Sequence, residues 1–95
     1  MENDDFKINE KANRFEMQVQ GQTAIIDYIF NDDVYQLTHI KVPENLEGKG
    51  HANAIVEKAL NYIKDHNHKV APLCSFVVLY ISRHPQWDPI VTNGY

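Results

Sequence analysis

The chain has 95 residues, of which 43% are hydrophobic and 23% charged, and its formal net charge is −4. A chain of this length makes one domain with a modest core, and its proportions are those of an ordinary globular protein, not a disordered or fibrous one. Acidic residues gather at Glu2, Asp4 and Asp5 and again at Asp32 and Asp33, which argues against broad binding of nucleic acid or of an anionic membrane.

The first dozen residues, MENDDFKINEKA, read as loosely held. From Arg14 to Gln20 the sequence RFEMQVQ alternates strictly, with Phe15, Met17 and Val19 on one side and Glu16, Gln18 and Gln20 on the other. A period of two marks a half-buried strand. Gly21 offers a tight turn into TAIIDYIF (23–30), whose β-branched and aromatic residues predict a second, more buried strand paired with the first. Asn31-Asp32-Asp33 is a turn cluster leading to a third strand, VYQLTHIKV (34–42), which Pro43 ends. Three strands joined by short turns predict an antiparallel meander.

Next comes ENLEGKGHANAIVEKAL (44–60), which carries the strongest helical signal in the chain. Ala52, Ile55, Val56, Ala59, Leu60 and Ile63 share one helical face, while Glu57, Lys58, Asn61, Lys64 and Asp65 fill the other. The helix stops near His66-Asn67-His68; these histidines have no cysteine or carboxylate to complete a metal set and read as a solvated helix end. KVAPLC (69–74) predicts a short buried strand, parallel to the third because a helix separates them. Ser75 is placed to N-cap a second helix, FVVLYISRH, which Pro85 terminates. Trp87 packs on the body, and the residues after it read as loose. The order β-β-β-α-β-α predicts a single α+β domain over 1–95, a three-layer α/β arrangement with a mixed sheet.

Gly48-Lys49-Gly50 between a strand and a helix admits two readings. Glycines there serve a turn, or they let backbone N–H groups and the helix end reach an anion. The pattern is neither a Walker loop, which needs Gly-Lys-Ser/Thr, nor a Rossmann fingerprint, which needs a third glycine. Cys74 is the single cysteine, so no intramolecular disulfide is possible. With no secretory h-region, sequon or long apolar run, a cytoplasmic protein is expected.

The string V-P-E-N-L-E-G-K-G-H-A (42–52) resembles motif A of the GNAT-type N-acetyltransferases, Gln/Arg-x-x-Gly-x-Gly/Ala, with Asn45 where Gln or Arg is usual. T-H-I-K-V-P, G-K-G, K-V-A-P-L-C-S-F and Y-I-S-R-H-P together are similar to a subgroup of very small, stand-alone GNAT-like proteins, over about residues 13 to 91. The resemblance implies acetyl-CoA held in a gap between the third strand and the strand after the main helix. The amides of Gly48, Lys49, Gly50, His51 and Ala52 would hold the pyrophosphate, Ile40 and Val42 would lie beside the pantetheine arm, and the Val42 N–H would polarise the thioester carbonyl. An acceptor amine then attacks the thioester directly, and Tyr80 stands where a tyrosine often protonates the departing thiolate. His51 replaces an aliphatic residue, Ser75 a frequent proline, and Lys41 an acidic residue of some relatives.

Two more side chains are candidates. Cys74 ends the strand bordering the thioester, as an acetyl acceptor or as a small apolar packing residue. His39 shares the predicted strand face of Leu37 and Lys41, as an acid or base in the cleft or as a hydrogen-bonding residue of the sheet. The leading reading is an acetyl-CoA-dependent N-acetyltransferase with an unidentified amine acceptor and no metal, nucleic acid or membrane partner, as a monomer or weak homodimer. A non-catalytic acyl-CoA-binding or sensor module is the alternative, and a small interaction domain with turn glycines the third.

Overall fold

Alternation and aromatic content do build the meander, with one strand more than the pattern suggests. In the computed structural model, which describes residues 5–92, β1 (Phe6–Asn9), β2 (Arg14–Val19), β3 (Gln22–Asn31) and β4 (Val34–Lys41) pair antiparallel in sequence order. A 3₁₀ turn, Glu44–Leu46, leads to α1 (His51–Asp65). β5 (Lys69–Pro72) then joins parallel to β4, and α2 (Ser75–Arg83) and a second 3₁₀ stretch, Pro85–Ile90, close the fold. The expected α+β class and the parallel last strand are both present.

The core lies between one sheet face and the helices. Phe15, Ile26 and Leu37 from the sheet meet Ile55, Leu60 and Ile63 of α1, all fully buried. Phe15 sits at the centre of an aromatic cluster, with ring centroids 5.8 Å from Phe6, 5.2 Å from Tyr28, 5.6 Å from Tyr35 and 5.6 Å from Tyr62. Tyr35 lies so far from water that its phenol is held well above the ordinary tyrosine value, chiefly by desolvation, with the neighbouring Tyr62 and Tyr28 adding to it.

Several expectations need correction. Residues 6–9 are not loose: Phe6 stacks on Phe15, and the strand pairs in register Phe6↔Met17 and Asn9↔Arg14. Glu16 is not solvated either. Asn9 Nδ2 and Arg14 Nε each donate to Glu16 Oε2 at 2.9 Å, and Lys7 Nζ lies 4.0 Å from Oε1, so the carboxylate clasps the edge strand and is nearly buried. Ser75 is the first residue of α2 and Cys74 takes the N-cap position, without a side-chain cap. The strand before it ends at Pro72, where the ladder to β4 stops. His68 is half-buried, edge-on to Phe30 at 5.0 Å, instead of solvated. From Trp87 to Thr92 the chain is held: Val91 bridges Val70, and the Thr92 N–H donates to the Val70 carbonyl at 2.9 Å; the last three residues of the expected loose end lie outside the described residues. The first four residues of the expected loose segment lie outside the described residues.

The correction with most consequence is a β-bulge. Asp27 pairs with His39 while Tyr28 pairs with Leu37, so Thr38 is an extra residue in β4. Its hydroxyl donates to the Asp27 carbonyl at 3.3 Å. The bulge shifts the side-chain alternation by one. Leu37 points into the core, but Ile40 and Val42, and not His39 and Lys41, continue that face.

Removing the central ring should open a cavity under four aromatics. Phe15→Ala is expected to cost about 3–5 kcal/mol in urea denaturation. Glu16 gives a second outcome. Its folded pKa is lowered below 4.5, first by the Asn9 hydrogen bond and then by Arg14, so its contribution is fully present above the unfolded value and is lost as pH falls through the folded one. Glu16→Gln should therefore flatten the acid limb of stability against pH below about 4.5.

Candidate functional site

The site is a groove of about 490 Å³ where the end of β4, the glycine loop and the starts of both helices converge. β4 and the residue after it supply Ile40 and Val42. The loop gives Leu46, Glu47, Gly48 and Gly50, α1 gives His51, Ala52 and Asn53, and α2 gives Phe76. Leu46 is 2% exposed and anchors the loop to the body, so the glycines beyond it are held at a fixed height.

Gly48 and Gly50 have φ of +81° and +83°, the left-handed region that L side chains enter at a cost. A Cβ at either would meet no protein atom within 4 Å, so the space beside them opens into the groove. Gly50 is the N-cap of α1 and its carbonyl accepts from the Ala54 N–H at 3.1 Å. No side chain caps the helix, and its first turn holds no acidic residue. The leading N–H groups, with the positive end of the helix dipole, therefore face the groove without an acceptor among the described residues. Apolar Ile40, Val42, Leu46 and Phe76 line the rest.

Groove and split sheet have a common origin. The β4–β5 ladder ends at Leu37 and Pro72, where the Leu37 carbonyl accepts from both the Leu73 and Cys74 N–H groups at 3.0 Å. Beyond that fork β4 continues to Lys41 with β3 on one side and no strand on the other.

The expected cofactor-binding residues are brought together with one exception: Ile40, Val42, Gly48, Gly50, His51 and Ala52 line the groove, whereas Lys49 is exposed beside it. The expected catalytic residues are not gathered there. Cys74 sits at the fork, half-buried, outside the lining. Tyr80 is 7% exposed in the core, stacked on His84 at 4.1 Å. Burial pushes its phenol up, Glu57 adds to this, and the nearby Trp87 indole N–H acts in the opposite direction without closing a full hydrogen bond. His39 lies on the other face of the sheet, because the bulge at Thr38 turns it away from Leu37. Sequence reasoning misses Leu46, Glu47, Asn53 and Phe76. Phe76 is visible in the Cys-Ser-Phe string, but as part of a pattern and not as a lining side chain.

A family model described as GCN5-related N-acetyl-transferase matches residues 14–90. The chain belongs to that family. No curated protein matches this GCN5-related chain. Among solved structures, it resembles the solution NMR structure of a GCN5-like protein from Staphylococcus aureus, at 20% identity and a TM-score of 0.71, covering 100% of this chain and 94% of the other. At that identity the likeness concerns the fold, and it shows the GCN5-related fold over the whole chain. Among the described residues, no helix is long and apolar enough to cross a membrane.

If the loop depends on positive φ, substitutions should rank by their tolerance of it. Gly50→Ala is expected to lower unfolding free energy by about 1–2 kcal/mol, and Gly50→Asn by less, in urea denaturation.

Proposed function

We propose that this chain takes an acetyl group from acetyl-CoA and transfers it to an amine. The groove carries the reading: a glycine loop and an uncapped helix start at one end, with Ile40, Val42, Leu46 and Phe76 lining the remainder. Such a site suits a ligand with an anionic end and a slender, less polar arm. Acetyl-CoA has that form, and membership of the GCN5-related family supports the choice.

The residues fit the ligand. The amides of Gly48, Lys49, Gly50, His51 and Ala52 are offered to the pyrophosphate, with Ile40 and Val42 beside the pantetheine arm. When bound, acetyl-CoA supplies an activated acyl carbon. The Val42 N–H serves as the donor to its carbonyl. Tyr80 keeps its proton at neutral pH as an ordinary tyrosine does, burial raising its pKa further; that is the state a general acid needs, and it lies one turn beyond Phe76 on α2. Cys74, at the fork of β4 and β5, offers a second route, in which its sulfur takes the acetyl group before the amine does. A binding module without turnover is the other reading. It is favoured by one observation: Cys74, Tyr80 and His39 all lie outside the groove lining.

Calorimetric titration with CoA, together with intact mass after incubation with acetyl-CoA, tests these readings. Binding is expected; its absence would sink both the enzyme and the binding module. An adduct of one acetyl group that vanishes in Cys74→Ser supports the covalent route, and binding without adduct or turnover on an amine panel supports the module. Gly50→Val should weaken CoA binding by about tenfold or more, since roughly 1–2 kcal/mol of strain is added before any clash with the ligand. Lys49→Ala should cost far less.

A further inference from the structure

The bulge at Thr38 leaves one pair of side chains without a part in the groove. His39 and Asp27 face each other across β4 and β3, with His39 Nδ1 3.5 Å from Asp27 Oδ2. Their side chains are 61% and 40% exposed, and a polar contact that open adds little stability. The face they occupy is reached by solvent along its length, at Gln18, Thr23, Ile29 and Lys41. Yet the next residue, Ile40, lines the groove on the other face. Past Leu37 the edge of β4 has no strand beside it, so no β-ladder closes the sheet on that side at the level of His39.

We propose that His39, oriented by Asp27, is the general base for the acceptor amine, and that the acceptor approaches from the sheet face opposite the groove. The assignment rests on the acetyl-CoA reading of the groove. An alkylamine is an ammonium ion at neutral pH and has no lone pair with which to attack. Asp27 Oδ2, 3.5 Å from Nδ1, favours the tautomer that carries its proton there, which leaves the lone pair on Nε2. One ammonium proton goes to Nε2 and from there to solvent. The freed nitrogen forms its bond to the acyl carbon, the carbon–sulfur bond breaks, and sulfur departs with the electron pair. A second proton passes to that thiolate, and the last stays on the amide nitrogen.

The surrounding charges leave the pair available. Arg14 of β2 lies across from Asp27, but its Nε is given to Glu16 at 2.9 Å. Lys7 of β1 lies 4.0 Å from Glu16, and Lys41 of β4 is exposed two residues beyond His39. Glu47 and His51, the titratable residues of the groove lining, belong to the loop and the first turn of α1, at the end read as the phosphate site.

Two kinds of nucleophile separate a base from a structural residue. Benzylamine, spermidine and glycine ethyl ester are alkylamines that must lose a proton; hydroxylamine is largely unprotonated at neutral pH and needs no base. With acetyl-CoA as donor and thiol release as the readout, His39→Gln should lower kcat/KM for the alkylamines by about 10²-fold and leave hydroxylamine nearly unchanged. Asp27→Asn, which removes the positioning residue, should lower kcat for the alkylamines and leave the KM for acetyl-CoA as it was. CoA affinity by calorimetry and the thermal midpoint should match wild type in both variants. Equal losses on both kinds of nucleophile, unaltered alkylamine turnover, or a wild-type protein that binds CoA and acetylates none of the three alkylamines would overturn the assignment. A wild-type protein that does not bind CoA overturns the groove reading beneath it.

Discussion

The site depends on one event in the sheet, the parting of β4 from β5 after Leu37. A parallel pair would otherwise close on itself, and its inner edge would be consumed by ladder hydrogen bonds. Here the Leu37 carbonyl collects the last two N–H donors from Leu73 and Cys74, and the bulge at Thr38 redirects the remainder of β4. The glycine loop, the start of α1 and Phe76 then have a gap to surround. Without the parting, the same loop would be a turn on a closed sheet.

The core explains why the strands can part without the fold coming apart. Leu37 lies at the fork, Phe15 and Ile26 lie level with Ile40 beyond it, and all three are packed in one core with Ile55, Leu60 and Ile63 of α1. The same cluster takes in Val77, Tyr80 and Ile81 of α2, so the core that spans the fork holds both helix starts over the gap. Leu46 does the same for the loop, as one buried side chain among exposed neighbours.

Much of this is legible in the residues. The period of two in RFEMQVQ, the apolar face of the main helix and the parallel last strand are all present, and the glycine loop lies where its spacing puts it. The misses have physical causes. β1 reads as loose because FKIN is short and flanked by charge; its order comes from Glu16 and Phe15, residues distant in sequence. Strict alternation puts His39 on the face of Leu37, and a bulge leaves no mark in composition. The C-terminal turn is likewise held by a bridge to β5, which no local pattern announces. What escapes the sequence is in each case a long-range contact or a one-residue change of register.

That C-terminal bridge matters to more than the order of the last residues. A sheet edge with unpaired N–H and C=O groups is a template on which another chain can extend it. Val91 and Thr92 occupy the outer side of β5 at Val70, and at the other border β1 is four residues long and turns Lys7 outward. Neither border presents a long, flat, apolar run. Resistance to sheet-to-sheet aggregation in this chain therefore rests on a short strap at one border and a charged stub at the other, and trimming the strap would expose polymerisable backbone before it disturbed the core.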